Sequence, residues 1–241
     1  MSTAMTKAKA IVQAKTHAQI ETMFDEIAPV YDFLNRVLSL GLDQHWRRAA
    51  VRMAYSMLNP TRTLSALDVA TGTGDFAQIL TTLPNTKVIG IDLSEVMLRY
   101  ARQKVPNAHF ERAPAENLPF AKSSFDLVTV GFGARNFQEI EKGLLEIHRV
   151  LKPEGIAVFL EPMIPQHTWI RKPYLAYFKH ILPKIACFFG APEVAYRYLP
   201  LSVEHFPQGE AFLEKLGRAR FQSALQHRLS LQTAILYIAR K

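Results

Sequence analysis

Two glycines and two carboxylates carry the clearest chemistry in the sequence. Gly72 and Gly74 stand in the turn TGTGD, Asp68 precedes that turn, and Asp92 ends the run VIGID. Glycines in such a turn let the backbone approach a ligand closely, and the helix that begins after it offers free amide groups. Asp92 follows Gly72 by twenty positions, where a carboxylate can accept hydrogen bonds from both hydroxyls of a ribose. The spacing therefore predicts a site for a nucleotide-type cofactor.

Two cofactors fit this pattern, a dinucleotide and S-adenosylmethionine. Asp75 stands at the helix start and Asp68 stands just before the turn. Acids at these places repel a pyrophosphate, whereas they suit a sulfonium and an amino-acid ammonium group. The turn also lacks the final glycine of the G-x-G-x-x-G pattern. The sequence favours S-adenosylmethionine, with a nicotinamide dinucleotide as the alternative.

The elements that must position these groups follow from apolar runs that alternate with helical patterns from residue 64 onward. The predicted strands are 64–70, 87–93, 108–113, 125–132, 156–161, 221–229 and 231–240. The predicted helices are 75–83, 94–105 with Ser94 as N-cap, and 140–152, which Pro153 and Gly155 should end. This alternation predicts an α/β fold with a doubly wound, mostly parallel sheet and a terminal hairpin as an antiparallel edge. Ligands in such sheets bind beyond the carboxyl ends of the strands.

The segment GFGARNFQE after the fourth strand is predicted to lie at the mouth of the site. It places Arg135 and Asn136 there, a cation and an amide that can stabilise a developing oxyanion. Methyltransferases that extrude a DNA or RNA base commonly carry an acid or asparagine and two prolines at this place, and this sequence does not. The alternative is a structural Arg135 that pairs with a nearby carboxylate such as Glu139.

Composition limits the classes of protein that fit. The 241 residues are 49% apolar, enough for a full core, and the net charge of +8 is scattered without the dense basic run of an RNA-binding tail. A basic surface or an anionic partner, such as a membrane surface, both explain that charge. No apolar run spans a bilayer, no secretory signal is evident, and the single Cys187 fits a reducing compartment, so we predict a cytoplasmic location. The eight histidines lack metal-ligand spacing, so no metal site is predicted.

Four segments organise the chain. We expect a polar, partly helical leader over 1–20 and a single domain over 21–241, with a helical lid at 21–58 and an insert at 162–220. The insert mixes aromatic or apolar residues with cations: Trp169, Tyr174, Tyr177, Phe178, Ile181, Leu182, Phe188 and Phe189, beside Arg171, Lys172, Lys179 and Lys184. Such a composition suits a face that lies on an anionic bilayer or admits a lipid tail. The alternative is a core helix that packs on the sheet.

Motifs along nearly the whole chain, from about residue 21 to 215, resemble those of a known family. They are MFDEIAPVYDFLNRVLSLGLDQHWRR, DVATGTGD, GIDLSEVML, AENLPF, SFDLVTVGFGARN, RVLKPEG and AYRYLPLSVEHFP. In this order they resemble the class I S-adenosylmethionine-dependent C-methyltransferases of menaquinone and ubiquinone biosynthesis. The resemblance implies a Rossmann-like sheet of seven strands. It also implies methyl transfer to a polyprenylated quinol, from demethylmenaquinol to menaquinol or on 2-polyprenyl-6-methoxy-benzoquinol.

The resemblance also implies roles for particular residues. Cofactor contacts would come from Thr73 and Asp92, with Pro114 and Ala115 at the adenine. Beside these, the predicted cofactor site includes Asp68, Gly72, Gly74, Leu93 and Gly131. Tyr31, Arg135 and Asn136 would face the quinol. Two positions depart from the family pattern. Pro114 replaces a polar residue that could bind the adenine amine, and Gly131 replaces a frequent serine.

Chemistry of this kind needs a phenolate, which pushes electron density onto the ring carbon that attacks the methyl group. Arg135 is predicted to stabilise the phenolate, with Asn136 and Tyr31 orienting the ring oxygens. The base is open between Asp32, His205 and a water relayed by Arg135 or Tyr31. Other readings are a different small or lipid-like aromatic acceptor, an NAD(P)-dependent oxidoreductase, a nucleic-acid methyltransferase and a non-catalytic lipid carrier. No nucleic acid is expected as partner, while peripheral contact with the inner face of the membrane and a homodimer are both left open.

Overall fold

The apolar runs form one sheet of seven strands in the order β3-β2-β1-β4-β5-β7-β6. The chain is described by a computed structural model over residues 3–58 and 63–241. The strands are β1 (Leu64–Val69), β2 (Thr86–Asp92), β3 (His109–Arg112), β4 (Phe125–Gly131), β5 (Leu151–Pro162), β6 (Ser223–Leu229) and β7 (Ala234–Arg240). Strands β1 to β5 pair in parallel, and β7 is antiparallel to both β5 and β6. The predicted doubly wound, mostly parallel α/β sheet with a C-terminal antiparallel hairpin is confirmed.

Helices pack on both faces of this sheet and over its carboxyl edge. They are α1 (Thr3–Ala14), α2 (His17–Ile27), α3 (Tyr31–Ser39), α4 (Leu42–Met57), α5 (Asp75–Leu80), α6 (Glu95–Lys104), α7 (Ile140–Val150), α8 (Thr168–Ala176), α9 (Leu182–Phe188), α10 (Glu193–His205) and α11 (Glu210–Arg218). A π-helical turn, Tyr177–Ile181, joins α8 to α9. The Ser94 side chain accepts from the Met97 amide at 2.9 Å, so the predicted N-cap of α6 is confirmed.

Several predicted boundaries are wrong. Helix α7 ends at Val150, and Pro153 lies inside β5, where the pairing with β4 shifts register. Proline has no amide to give to the ladder, so the KPEG stretch is accommodated as an irregularity in the strand and not as a turn after the helix. Helix α5 stops at Leu80, three residues early. Strand β7 begins only at Ala234, because Ser230–Gln232 forms a short 3-10 turn.

The switch in strand order lies between β1 and β4. Strand β2 pairs with one side of β1 and β4 with the other, so the chain turns in opposite directions from these neighbouring strand ends. In doubly wound sheets this place is the crevice where ligands bind. All side chains of β4 up to Val130 are buried, as expected for a strand covered on both faces.

An apolar cluster lies over this crevice and unites the N-terminal helices with the insert. It includes Ala8 of α1, Leu34 of α3, Leu182 of α9 and Tyr198 of α10. The described part of the expected leader, residues 3–20, thus forms α1 and the start of α2, while residues 1 and 2 lie outside the described residues. Among the described residues no helix combines the length and apolar character that crossing a bilayer requires.

Candidate active site

Asp92 fixes the glycine turn from the neighbouring strand. Its Oδ2 accepts from the Gly72 amide at 2.8 Å, and its Oδ1 accepts from the Ser94 amide at 2.9 Å. Burial raises the pKa of Asp92 above its ordinary value, although these amides favour the charged form. Gly72 has φ +56°, a backbone conformation that favours glycine. The pair joins the tips of β1 and β2 into one rigid corner.

Asp68 holds the same turn from below. Its carboxylate accepts from the hydroxyls of Thr71 at 2.6 Å and Thr129 at 2.7 Å, and from the Ala77 amide at 3.2 Å. Burial raises the pKa of Asp68 to about 6. Because Asp68 accepts three hydrogen bonds from the protein, is only 1% exposed and does not line the cleft that Asp92 lines, the geometry gives Asp68 a role in positioning the turn.

A cavity of about 630 Å³ including its open mouth lies over these strand tips, and we term it the cofactor cleft. Its lining contains the predicted cofactor residues Gly72, Asp92, Leu93, Ala115 and Gly131, and also Tyr31 and Asn136. Two other predicted cofactor residues lie elsewhere. Pro114 is outside the lining, and a Cβ on Gly74, at φ +85°, would lie 3.3 Å from the Ala101 Cβ, so this glycine packs against α6.

The cofactor cleft has a second wall that the sequence analysis missed. His17, Ile20 and Glu21 of α2 line it, opposite Glu116. The His17 Nε2 lies 3.2 Å from the Glu116 Oε2, and the Glu139 amide donates to the Glu116 Oε1 at 3.2 Å. No local pattern marks His17, because its position depends on how α2 packs across the strand ends.

A smaller cavity of about 280 Å³ continues the cleft inward, and we term it the inner cavity. It shares Tyr31, Ala70, Gly72 and Gly131 with the cofactor cleft and is also lined by Thr73, Asp75, Asp68 and Arg47. The predicted cofactor residue Thr73 borders this end, where its hydroxyl donates to Asp32 at 2.5 Å and accepts from the Lys104 ammonium at 3.0 Å.

Six charged groups, two of which line the inner cavity, form a network that joins the lid to the glycine turn. We call this set the lid network; it consists of Arg36, Arg47, Lys104, Asp32, Asp43 and Asp75. Arg36 and Lys104 contact the Asp75 Oδ1 at 2.8 and 3.1 Å, and burial opposes but does not overcome these cations, which hold the pKa of Asp75 below its ordinary value. The expectation that Asp75 repels a phosphate is therefore wrong in its reason, because three cations neutralise that acid.

A large apolar cavity of about 1240 Å³ including its mouth lies between the lid and the insert, and we term it the acceptor pocket. Its walls come from α2, α3, α4, the α8–α9 region and α10. They include Met23, Phe24, Ile27, Leu38, Trp46, Tyr174, Tyr177, Phe178, Leu182, Tyr196, Tyr198 and Leu199. The inner side of the insert thus lines a cavity, whereas Trp169 (71% exposed) and Phe188 (83% exposed) face outward.

Tyr31, Phe24 and Phe132 line both the acceptor pocket and the cofactor cleft, so the two cavities meet at these rings. Arg135 lines the acceptor pocket close to this junction and is only 6% exposed. Its Nη1 donates to Glu161 Oε2 at 3.0 Å and to the Phe132 carbonyl. Its Nε has no hydrogen-bond partner among the described residues. A buried guanidinium with one unused donor invites an oxygen ligand.

Arg135 does pair with a carboxylate, as the alternative expected, but the partner is Glu161 and the example of Glu139 is wrong. Glu161 is fully buried at the end of β5, where its Oε1 accepts from the Ala134 amide at 2.7 Å. Glu139 lies 3.7 Å from Lys142 at the start of α7. Burial raises the pKa of Glu161, and Arg135 opposes that rise. Sequence reasoning could not find this pair, since β5 is paired with β4 only in the folded sheet.

Comparison with known proteins decides the class of enzyme. The model of the ubiE/COQ5 methyltransferase family matches residues 12–241. The chain belongs to that family. A demethylmenaquinone methyltransferase of Chlorobaculum parvum is 49% identical over 241 residues, with all of both chains covered. A ubiquinone/menaquinone biosynthesis C-methyltransferase of Geotalea daltonii is 41% identical over 92% of this chain and 96% of the relative.

Solved structures show the same fold at low sequence identity. A methyltransferase of Thermotoga maritima aligns with TM-score 0.60 and 18% identity over 92% of this chain and 99% of that chain. The phosphoethanolamine N-methyltransferase 2 of Haemonchus contortus, solved with S-adenosylhomocysteine, aligns with TM-score 0.61 and 16% identity over 82% of this chain and 52% of that chain. The predicted S-adenosylmethionine-dependent methyltransferase of the ubiE/COQ5 family is confirmed.

Gly131 in this family member departs from the frequent serine for a steric reason. A Cβ at this position would lie 2.5 Å from the ring of Phe76, which is buried under the glycine turn. Phe76 therefore occupies the space that a side chain at 131 would need.

The two side chains predicted as candidates for the general base of this methyltransferase lie in different surroundings. Asp32 is held in the lid network by Lys104 and Thr73, and the exposed His205 ring is bonded to the Leu201 carbonyl at 2.8 Å. Neither lines the acceptor pocket. Burial raises the pKa of Tyr31 above its ordinary value, so its phenol stays protonated and is a hydrogen-bond donor at the junction.

Asn136 is held by the insert. The Tyr198 hydroxyl donates to the Asn136 Oδ1 at 2.8 Å, and both groups are buried. Tyr198 lines the acceptor pocket and Asn136 lines the cofactor cleft, so this bond crosses from one cavity to the other. Tyr198 was not predicted as a site residue, since α10 reaches Asn136 only through tertiary packing.

Proposed function

We propose that the chain methylates a ring carbon of a polyprenylated quinol, with demethylmenaquinol as its acceptor and S-adenosylmethionine as its donor. Relatives with 49% identity over the whole chain are named demethylmenaquinone methyltransferases, which supports a naphthoquinol. Relatives named for both ubiquinone and menaquinone biosynthesis are 41% identical, so 2-polyprenyl-6-methoxy-benzoquinol is the second acceptor to test.

The unused donor of Arg135 is the observation that carries this proposal. A quinol ring carbon becomes nucleophilic when a neighbouring hydroxyl loses its proton and the phenolate shares its electron pair with the ring. Arg135 lines the apolar cavity and its buried Nε is without a partner among the described residues, so the guanidinium can hold the phenolate oxygen as charge develops. Glu161 and the Phe132 carbonyl fix the guanidinium from the other side, so little reorganisation is needed.

The methyl transfer itself needs only alignment. The ring carbon attacks the methyl group, the carbon–sulfur bond breaks, and the neutral thioether S-adenosylhomocysteine leaves. The methylated carbon then releases its proton and the ring becomes aromatic again. Tyr31 contributes a protonated phenol at the junction, and Asn136 contributes an amide fixed by Tyr198, so both can orient ring oxygens. The phenyl rings around the junction exclude water from the reacting pair.

The apolar walls of the acceptor pocket suit an isoprenoid tail, and its mouth suits a bilayer. Leu40, 88% exposed, and Leu42 lie at the mouth, and Phe33 of α3 packs on Phe189 with ring centroids 4.8 Å apart. Residues 162–192 contain four cations and no Asp or Glu. We therefore propose that an outer face formed by Phe33, Leu40, Trp169, Ile181, Phe188 and Phe189 docks on an anionic membrane surface.

The acceptor is tested by incubating the protein with methyl-labelled S-adenosylmethionine and one reduced quinol at a time, followed by mass analysis. We expect label on the ring carbon of demethylmenaquinol and none when the same quinone is kept oxidised, because the oxidised ring has no phenol to ionise. Label only on a water-soluble phenol without an isoprenoid tail would contradict the proposal and favour another aromatic acceptor. If only the benzoquinol became labelled, the benzoquinol and not the naphthoquinol would be the substrate.

The docking face is tested by cosedimentation with vesicles of neutral or anionic phospholipid. We expect binding to anionic vesicles that falls with salt and is weakened by Phe188→Ser. Leu225→Ser is the matched control, since Leu225 is an exposed apolar residue on β6, outside this face. Equal loss in both variants would contradict the proposal. The proposal would also be contradicted if the protein were a homodimer in solution and Phe188→Ser dissociated the dimer without changing vesicle binding.

A further inference from the structure

Phe132, where the two cavities meet, has a backbone conformation that favours glycine. Its φ is +58°, in the left-handed region. A glycine would adopt this conformation without strain, and glycines do occupy both neighbouring positions, 131 and 133. The strain at 132 therefore accompanies a side chain, and strained residues of this kind cluster at functional sites.

The backbone that carries the Phe132 ring is fixed from several directions. The Phe132 amide donates to the Leu160 carbonyl at 2.6 Å, and the Phe132 carbonyl accepts from the Nη1 of Arg135. A Cβ on Gly133 would lie 2.6 Å from the Ala70 Cβ, so the chain is closely packed just after Phe132. The turn thus holds the phenyl ring in a fixed relation to the guanidinium that is proposed to hold the phenolate.

A buried cation lies over one face of the Phe132 ring. The guanidinium carbon of Arg47 is 4.9 Å from the ring centre, and Arg47 is only 3% exposed, so water screens this contact little. The Trp46 ring packs against Phe132 with centroids 6.3 Å apart. Of the three rings that line both cavities, Tyr31, Phe24 and Phe132, only Phe132 has a cation over its face among the described residues.

A cation on one face of a phenyl ring draws the π electrons toward itself and leaves the other face less negative. That other face then attracts an electron-rich aromatic ring more strongly than an isolated phenyl ring does. A quinol that has lost a proton is such an electron-rich ring. Phe132 is partly exposed and lines both cavities, so an acceptor ring that reaches the donor from the acceptor pocket passes it.

We propose that the quinol ring stacks on the face of Phe132 opposite Arg47, with Arg47 as the cation that polarises the phenyl ring. Phe132 is then a substrate-contacting residue, and Arg47 is a positioning residue that acts through it. The stack favours the phenolate over the neutral quinol, because the phenolate ring carries more electron density. The inference rests on the proposed function for its acceptor, and it adds the surface on which the acceptor ring lies.

Ring fluorination at one position separates stacking from packing. Phe132 is replaced by phenylalanines that carry one, two or three ring fluorines, which nearly keep the shape of the side chain and withdraw electron density from the ring. We expect kcat/KM for demethylmenaquinol to rise stepwise, by about 3-fold at three fluorines, because an electron-poor ring stacks more strongly on an electron-rich one. A stepwise fall would overturn the inference and leave a ring that only holds Arg47. An unchanged kcat/KM would overturn it as well.

Phe132→Leu removes the aromatic face and keeps an apolar side chain. We expect kcat/KM for demethylmenaquinol to fall about 10-fold, while the affinity for S-adenosylhomocysteine, measured by calorimetry, changes much less. Phe120→Leu is the matched control, since the partly buried Phe120 ring packs on Phe125 at 5.0 Å between centroids and lines none of the three cavities. It should leave both values unchanged. Equal losses of kcat/KM and of cofactor affinity in Phe132→Leu would overturn the inference.

A rescue experiment tests the part assigned to Arg47. Arg47→Met should lower kcat/KM for demethylmenaquinol, and three fluorines on Phe132 should restore part of it, because the fluorines replace the cation in withdrawing electron density from the ring. A structural role of Arg47 would give no such recovery, and its absence would overturn the role of Arg47. Arg47→Gln serves as the second variant if Arg47→Met does not fold.

The outcomes separate this inference from the proposed function. If the unmodified protein transferred no label to any quinol, the proposed function and the inference would both fail. Label transfer to the quinol that does not respond to ring fluorination at 132 would overturn the inference alone, because methyl transfer as proposed does not depend on which surface carries the acceptor ring.

Discussion

The cofactor cleft and the acceptor pocket meet at Tyr31 and Phe132, but they are built in different ways. The cleft rests on short stretches at the ends of neighbouring strands, where Asp92 and the Gly72 amide lie on adjacent strand ends. The acceptor pocket takes its walls from lid and insert helices that are distant in sequence. Local turns with backbone hydrogen bonds thus define the donor side, and side chains brought together by tertiary packing define the acceptor side.

This contrast predicts that a change on the acceptor side acts on the rate and a change on the donor side acts on affinity. Arg135→Ala should lower kcat about 100- to 1000-fold, since it removes the donor proposed to hold the developing oxyanion. The affinity for S-adenosylhomocysteine, measured by calorimetry, should stay the same. Arg48→Ala is the control on an exposed position. Equal losses of kcat and of cofactor affinity would show that Arg135 belongs to both sides and would break the comparison.

The donor side is tested at Asp92. Asp92→Ala should weaken S-adenosylhomocysteine about 10- to 100-fold, because it removes the carboxylate predicted to accept from the ribose and also the group that fixes the Gly72 and Ser94 amides. The kcat at saturating cofactor should fall much less than in Arg135→Ala. Glu95→Gln, which changes an exposed carboxylate on α6, should bind the cofactor normally. A variant that binds the cofactor normally but turns over slowly would contradict this assignment.

Packing under the donor side gives a smaller effect on stability. Gly131→Ser should lower the free energy of unfolding by about 1–3 kcal/mol, because the new side chain meets the Phe76 ring. Urea denaturation measures the loss. Adding Phe76→Leu should restore part of it, so the double variant should be more stable than the sum of the single losses predicts. Strict additivity would mean that Phe76 is not what excludes a side chain at 131.

The pH dependence of Asp68 sharpens its structural role. Its pKa of about 6 in the folded chain is above its ordinary value of 3.8. The folded state therefore holds this proton more tightly than the unfolded state, and the associated stability is lost as pH rises from about 4 to 6. Asp68→Asn has no such titration. Relative to the unmodified protein, it should gain about 2 kcal/mol between pH 4.5 and 7.5 by urea denaturation. A constant difference across this range would contradict the raised pKa.

Most of the donor side could be predicted from sequence, since its residues follow strands that are easily recognised. Gly72, Asp92, Leu93, Ala115 and Gly131 all line the cofactor cleft as expected. What failed there was an electrostatic argument, because Asp75 is surrounded by cations from α3, α4 and α6 that no local pattern reveals. The sequence alone does not show which cations will lie next to an acidic residue, because that depends on how the helices pack.

The acceptor side could be predicted only in part. Tyr31 and Arg135 do line the acceptor pocket, but the groups that fix the site residues, Glu161 and Tyr198, lie on β5 and α10. Each becomes a neighbour of the 134–136 turn only through the order of the sheet and the packing of the insert. Aromatic composition marked the insert as special, yet it could not separate the rings that face the cavity from those that face outward.

The pairing of β5 with β7 has a consequence for how such an enzyme can change over evolution. Pro162 and Ala234 are direct partners in that ladder, so the segment 163–233, which carries the insert and the edge strand β6, begins and ends at adjacent points of the sheet. A long excursion anchored in this way can be lengthened, shortened or exchanged at a small entropic cost, and the parallel half of the sheet need not adjust. The segment can therefore be exchanged without changing the part of the fold that binds the methyl donor, which gives this fold a route to new acceptors.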